Sequence, residues 1–267
     1  MKIWLKRIGW SLFSLLTFIG LFWVNAAQEK ATLTKPEIFI HASGENTFLT
    51  ENELFTRLKR AGFIFDNQHQ SELKVAAIEQ FIKKMTEVKN VSVYTKIGSQ
   101  WKIDVSLRRP IARIYNRYNE TYYMDEDGFV MNPSTSHAAR VIVVTGNIPD
   151  RKNEGSIGQF INNESLKSIR KLDDVYRISN YVCNDPLMQS LIGQIHLKKS
   201  GDFVLIPLVG GQKIIFGPAD NNKEVAEKFY RLKVFYKEAI PYEGWNKYDE
   251  INLKYKKQIV CKNTAVN

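Results

Sequence analysis

The longest apolar stretch lies at the start of the chain. Ile8 to Val24 carries 17 residues without a charged side chain, behind Lys2, Lys6 and Arg7. Extended to Ala27, it reaches the about 20 residues that one helical crossing of a bilayer core needs. Trp10 and Trp23 stand near its two ends, where amphipathic rings settle at the lipid–water interface. Basic residues precede the run and none follows before Lys30. The pattern therefore predicts a cytoplasmic tail at 1–7, a transmembrane anchor at 8–27 and an exported remainder. The alternative is a cleaved signal peptide, whose apolar region usually spans only about 7–15 residues.

Beyond a polar linker at 28–35 the periodicities change. Glu37 to Ile40 reads as a short strand ended by Ser43-Gly44. Thr50-x-x-Glu53 has the form of a capping box and leads into Leu54, Leu58 and Ala61 at helical spacing, with Gly62 as the stop. Ser71 is placed to cap a second helix carrying Val75, Ile78, Ile82 and Met85. Two alternating runs follow. Val91, Val93, Thr95 and Ile97 share one face of the first, and Trp101, Ile103, Val105 and Leu107 share one face of the second, joined by Gly98-Ser99-Gln100. The order strand–helix–helix–strand–strand fills 36–109.

From Pro110 strands dominate. Ile111 to Tyr118, Glu120 to Met124 and Phe129 to Met131 are β-like, the last two separated by the turn sequence Asp125-Glu126-Asp127-Gly128. Arg140 to Thr145 is a buried-strand pattern closed by Gly146. Ile148 to Asn163 reads as an insertion or long loop. A helix is expected from Asn163 or Glu164 to Tyr181. The segments Gln194–Lys198, Phe203–Val209 and Lys213–Phe216 form a meander, and a helix capped at Asn221 or Asn222 runs to Tyr236, with Pro241 closing its segment. Asp249 to Cys261 is read as one final strand with Ile251, Leu253 and Tyr255 on one side. The expected fold class is α+β: a single N-terminal transmembrane helix, a β-α-α-β-β domain at 36–109, a mixed or antiparallel β domain with flanking helices at 110–262, and a tail at 263–267.

Composition adds a positive charge to explain. The 267 residues hold 38 Lys+Arg against 28 Asp+Glu, a net charge of +10, with a 44% hydrophobic content that fits a folded core. Seven of the basic residues lie between Lys89 and Tyr118 against Asp104 alone, and ten lie between Lys223 and Lys262 against six acids. Such charge fits either sheet edges guarded against wrong pairing or attraction to an anionic lipid or acidic partner. Export argues against nucleic acid. Motifs for chemistry are sparse. His41, His69, His137 and His196 lie far apart, and there is no P-loop, GxSxG or CxxC; no cofactor or metal is expected. Asp125 and Asp127 could serve as a carboxylate pair in an exported hydrolase, but DEDG between two strands is what a tight turn uses. Cys183 and Cys261 could pair after export or stay free.

The arrangement resembles the FtsQ/DivIB family of bacterial cell-division proteins, in which a short tail, one membrane span, a POTRA domain and a β domain follow one another. The most specific likeness is VSVYTKIGSQWKIDVSLRRPIARIYN, Val91 to Asn116. Tyr122 to Gly128, Arg140 to Gly146, Lys223 to Tyr236 and Ile251 to Tyr255 follow in the family's order. The resemblance implies a non-enzymatic scaffold of the division machinery in the cell inner membrane. It implies binding of FtsB/DivIC and FtsL-like bitopic proteins on the exported side, with the last strand receiving a strand from FtsB. The residues this assigns are Ile251, Leu253, Lys254, Tyr255, Lys257, Gln258 and Ile259, with the N–H groups of Lys254 and Lys256 offered to the partner. Arg108, Arg109 and Pro110 form a POTRA exit surface open to other division proteins. The competing reading is a POTRA-bearing envelope transport or assembly component, which would show repeated POTRA units or a membrane barrel.

Overall fold

The computed structural model describes residues 2–42, 48–96, 98–134, 137–152, 155–156 and 170–264. The expected Ser43-Gly44 turn, the strand position Ile97, most of the loop 148–163 and the start of the following helix lie outside them. The chain divides into two units, one of Met1–Ala42 with Leu49–Leu107 and one of Ser43–Phe48 with Arg108–Asn267.

The first unit opens with helix α1, Lys2–Glu29, which contains the whole of the apolar run. Its described residues from Trp10 to Ile19 are exposed, Trp10, Phe13 and Phe18 among them. Among the described residues no helix is long and apolar enough to cross a membrane. Several positions of the expected span, including 8, 21, 22 and 24–27, carry side chains outside the described set.

Strands β1 (Glu37–His41), β2 (Val88–Thr95) and β3 (Trp101–Leu107) form a sheet in the order β1-β3-β2, with β1 parallel and β2 antiparallel to β3. Helices α2 (Glu51–Arg60) and α3 (Val75–Lys83) close one of its faces. The core is made by Leu54 and Leu58 from the first helix, Ile78 and Ile82 from the second, and Trp101, Ile103 and Val105 from the central strand. The strand alternation and helix spacing put those positions on facing surfaces. Thr50 caps α2 by accepting the Glu53 N–H. Ser71 does not cap α3: it sits in a short 3-10 turn, Gln70–Glu72, whose Glu72 carboxylate accepts the His69 N–H, and α3 starts after Lys74 without a side-chain cap. Within the stretch read as a linker, Leu33 N–H donates to Gln68 O and Thr34 O accepts the Trp101 indole N–H.

The second unit is a mixed sheet of ten strands among the described residues, with helices on one face. In chain order they are β4 (Pro110–Tyr115), β5 (Thr121–Asp125), β6 (Phe129–Met131), β7 (Ile142–Gly146), β8 (Gly155–Ser156), β9 (Ile192–Leu197), β10 (Phe203–Pro207), β11 (Lys213–Gly217), β12 (Tyr248–Asn252) and β13 (Val260–Asn263). In space the order is β13-β12-β11-β10-β9-β7-β4-β5-β6-β8. Strands β4, β7, β9, β11 and β12 all run the same way. Their starts therefore lie at one end, where the chain arrives from Leu107, and their finishes at the other. These are called the proximal and distal ends below.

Helices α4 (Leu172–Asn184), α5 (Pro186–Leu191) and α6 (Asn222–Val234) cover the face presented by Ile114, Tyr122, Val144, Ile195, Phe216 and Ile251. Asn221 caps α6 and Asp185 caps α5, each accepting backbone N–H groups of the first turn. Pro241 does not close the α6 segment where expected. A π-helical turn, Phe235–Ala239, carries the helix onward into α7 (Ile240–Glu243), whose second residue is Pro241, and Gly244 at φ 88° ends it.

Candidate functional site

Asp249 to Cys261 is not one strand. It is the hairpin of β12 and β13, joined by an exposed loop at the distal end. The break has a local cause. Asn252 turns its side-chain oxygen back onto the Lys254 N–H at 3.0 Å, so that donor cannot serve a ladder. Lys256 lies in the turn, and Lys257 takes the left-handed conformation at φ 61°.

The loop is held from α6. Arg231 donates from Nη1 to Tyr255 O and Gln258 O, both at 2.6 Å, and from Nη2 to Leu253 O at 3.0 Å. One guanidinium thus satisfies three carbonyls that leave the sheet, which its planar fork of donors suits. Lys254 reaches Asp202 of the β10 side at 2.9 Å, and its chain passes over Gly217. That glycine stands at φ 77°, and a Cβ there would lie 2.7 Å from Lys254 Cγ. Between loop and helix runs a groove of about 980 Å³. Lys228 spends its charge on Glu224 and Pro218 O, whereas Lys223, Lys256 and Lys257 have no ion-pair partner among the described residues. Tyr230 and Tyr255 flank these lysines at 68% and 51% exposure.

The edge itself is β13. Among the described residues no strand pairs with its outer side. Leu253 N–H goes to Ile215 O and Thr264 N–H to Lys247 O, each at 2.9 Å. Since N–H groups alternate sides along a strand, those of Cys261 and Asn263 face outward. Of the residues assigned from sequence, Ile251 and Leu253 are fully buried in the core and Ile259 is half-buried against it. Lys254, Tyr255, Lys257 and Gln258 come together on the exposed loop. Arg231 escaped the sequence reading; its only sign was a basic residue in the last turn of a helix.

The proximal residues separate too. Arg108 is occupied internally: it pairs with the fully buried Asp125 at 2.9 Å and lies over the Phe129 ring at 3.7 Å. Asp125 also accepts the N–H groups of Asp127 and Phe129, so it clamps the DEDG turn. Burial pushes its carboxyl above the usual range, against the pull of the Phe129 N–H and Arg108. Arg109 is half-exposed between Glu126 and the Cys183 sulfur, and Pro110 is buried as the first residue of β4. Cys183 and Cys261 are both free thiols. Among the described residues no three His, Cys, Asp or Glu side chains gather as a metal set.

Comparison with known proteins agrees with this architecture. A family model described as POTRA-like domain matches residues 33–106, and one described as FtsQ/DivIB, C-terminal related, matches 109–262. No curated protein matches the chain. The second match spans more than half of the 267 residues, so the chain belongs to the FtsQ/DivIB C-terminal-related family.

Proposed function

We propose that this protein is a bitopic scaffold of the bacterial division machinery, anchored in the cytoplasmic membrane by α1 with its tail inside and its two units exported. In this reading it joins early and late division components by holding FtsB/DivIC and FtsL-like proteins, and so supports septal wall synthesis without catalysing a reaction. The family indicates a cell-division role and a non-enzymatic one; the anchor rests on the uncharged run from Ile8 to Val24 within one helix.

The observation that carries the partner reading is the edge of β13, on whose outer side no strand pairs among the described residues, beside Lys223, Lys256 and Lys257, which have no ion-pair partner among them. Strand addition supplies main-chain hydrogen bonds for affinity, and flanking side chains supply the choice of partner. A partner segment with acidic residues beside its pairing strand suits Lys223, Lys256 and Lys257. The N–H groups to remove are those of Cys261 and Asn263, in place of Lys254 and Lys256. Cys261→Pro and Asn263→Pro, each tolerable on an edge strand, are expected to abolish co-purification with the FtsB-like partner while the thermal transition persists. Full retention of the partner by a folded double variant would overturn the reading.

A further inference from the structure

The proximal end of the ten-stranded sheet contains a cavity of about 740 Å³ that the scaffold role does not use. Its polar lining is Arg109, Arg140, Cys183 and Gln189, with no acidic residue among the lining side chains. Arg109 donates to the Cys183 sulfur at 3.3 Å and shares its charge with Glu126 at 3.6 Å, on a half-exposed contact that water screens. Arg140 is exposed and has no ion-pair partner among the described residues. The remaining wall is apolar: Ile111, Val141, Val182, Ile192 and the exposed Leu208, which reaches over Gly193.

Size and chemistry select the occupant. A recess of this volume matches the pockets that enclose small molecules, about 300–1,000 Å³. A protein docking face instead spreads over about 800 Å² per partner. An apolar wall with two guanidinium groups and no carboxylate favours a ligand with an anionic head and an aliphatic body, because a guanidinium donates bidentately to carboxylate or phosphate. We propose that this cavity binds an aliphatic carboxylate or phosphate monoester, its head on Arg109 and Arg140 and its chain along Val141, Val182 and Leu208. The proposal does not depend on the partner edge at the distal end.

The two thiols make the test specific, since Cys183 lines the cavity and Cys261 lies on β13. The full chain, reconstituted in phosphatidylcholine vesicles, is alkylated with N-ethylmaleimide while dodecanoate, dodecyl phosphate or dodecyltrimethylammonium is added. At least one of the two anions is expected to slow alkylation of Cys183 tenfold or more and leave Cys261 unaffected. The ratio of the two anions' effects identifies the head group, and the cation, which enters the bilayer with the same chain, gives no protection. Affinity should rise about fourfold for each methylene added from octanoate to dodecanoate. Arg140→Glu should lose tenfold in protection and Arg140→Lys should restore part of it, neither disturbing a folded contact. Equal protection by the cation, protection unchanged in Arg140→Glu, or no protection by either anion would overturn the proposal.

Discussion

The two ends of the ten-stranded sheet are both basic, yet they are built on opposite principles. At the distal end Lys256 and Lys257 stand on a loop that has left the sheet, facing Lys223 of α6, and Arg231 holds the loop by gathering three carbonyls. At the proximal end carboxylates hold two of the arginines, the buried Asp125 on Arg108 and Glu126 beside the half-exposed Arg109, while Arg140 stands exposed at the rim of an apolar recess. In the readings proposed above, an open basic groove beside the outward N–H groups of β13 suits an extended acidic segment, whereas a basic recess with an apolar wall suits an anionic head group with an aliphatic body. Equal charge therefore does not mean equal partner; the shape of the surrounding backbone decides.

Breaking each end tests that contrast, beginning where the loss should be greatest. Asp125→Ala leaves the Arg108 guanidinium buried without its counter-charge and removes the acceptor of the Phe129 N–H, so denaturant unfolding should show a loss of about 3–5 kcal/mol. Arg231→Ala should cost less, about 2 kcal/mol, because its three carbonyls can turn to water. Hydrogen exchange should quicken mainly between Lys254 and Gln258, and partner capture should fall with it. An exchange pattern that stays put would mean the loop does not rely on the guanidinium. Gly217→Ala forces a β-carbon into a left-handed backbone beneath Lys254, at about 1 kcal/mol. A gain in melting temperature would contradict the close approach seen there.

The smallest expected difference is one of pH. Burial pushes the Asp185 carboxyl upward, but Lys233 and the Met188 and Leu187 N–H groups outweigh it and hold the carboxyl below its ordinary value. A depressed folded value means that this contribution is present above the unfolded carboxylate range, about pH 4, and fades as the pH falls through the folded value. Asp185→Asn should therefore flatten the acid limb of the stability profile below about pH 4. The Arg231 contacts, made by a guanidinium to carbonyls, should be indifferent over the same range. An identical acid limb in the Asn variant would remove the pH distinction between the ends.

What could be read from the residues follows from how local each determinant is. The meander from Ile192 to Gly217 and the α6 cap at Asn221 depend on neighbours a few positions away, and alternation or a capping side chain displays them. The DEDG turn was legible for the same reason. The last strand was not, because alternation through Ile251, Leu253 and Tyr255 looks the same whether or not Asn252 takes the Lys254 N–H. The hold that bends the loop comes from Arg231, more than twenty residues earlier. Ser71 was an acceptable cap by type, but Glu72 and His69 closed a different turn first. The cavity left no trace in the sequence, since its walls come from β4, the approach to β7, α4 and the β10–β11 turn, which only the fold brings to one end.

The sheet order also determines how the molecule would bear a load. Tension applied between the arriving chain at Pro110 and a segment gripping β13 must cross β7, β9, β10, β11 and β12, passing from ladder to ladder. The parallel junction of β11 with β12 has three paired positions, fewer than the four of β12 with β13. The β4–β7 and β10–β11 junctions on the same path also have three, so a load in this direction meets three short seams. Beside the β11–β12 seam Arg231 adds a tie of its own, joining the helix that connects the two strands to the carbonyls beyond β12.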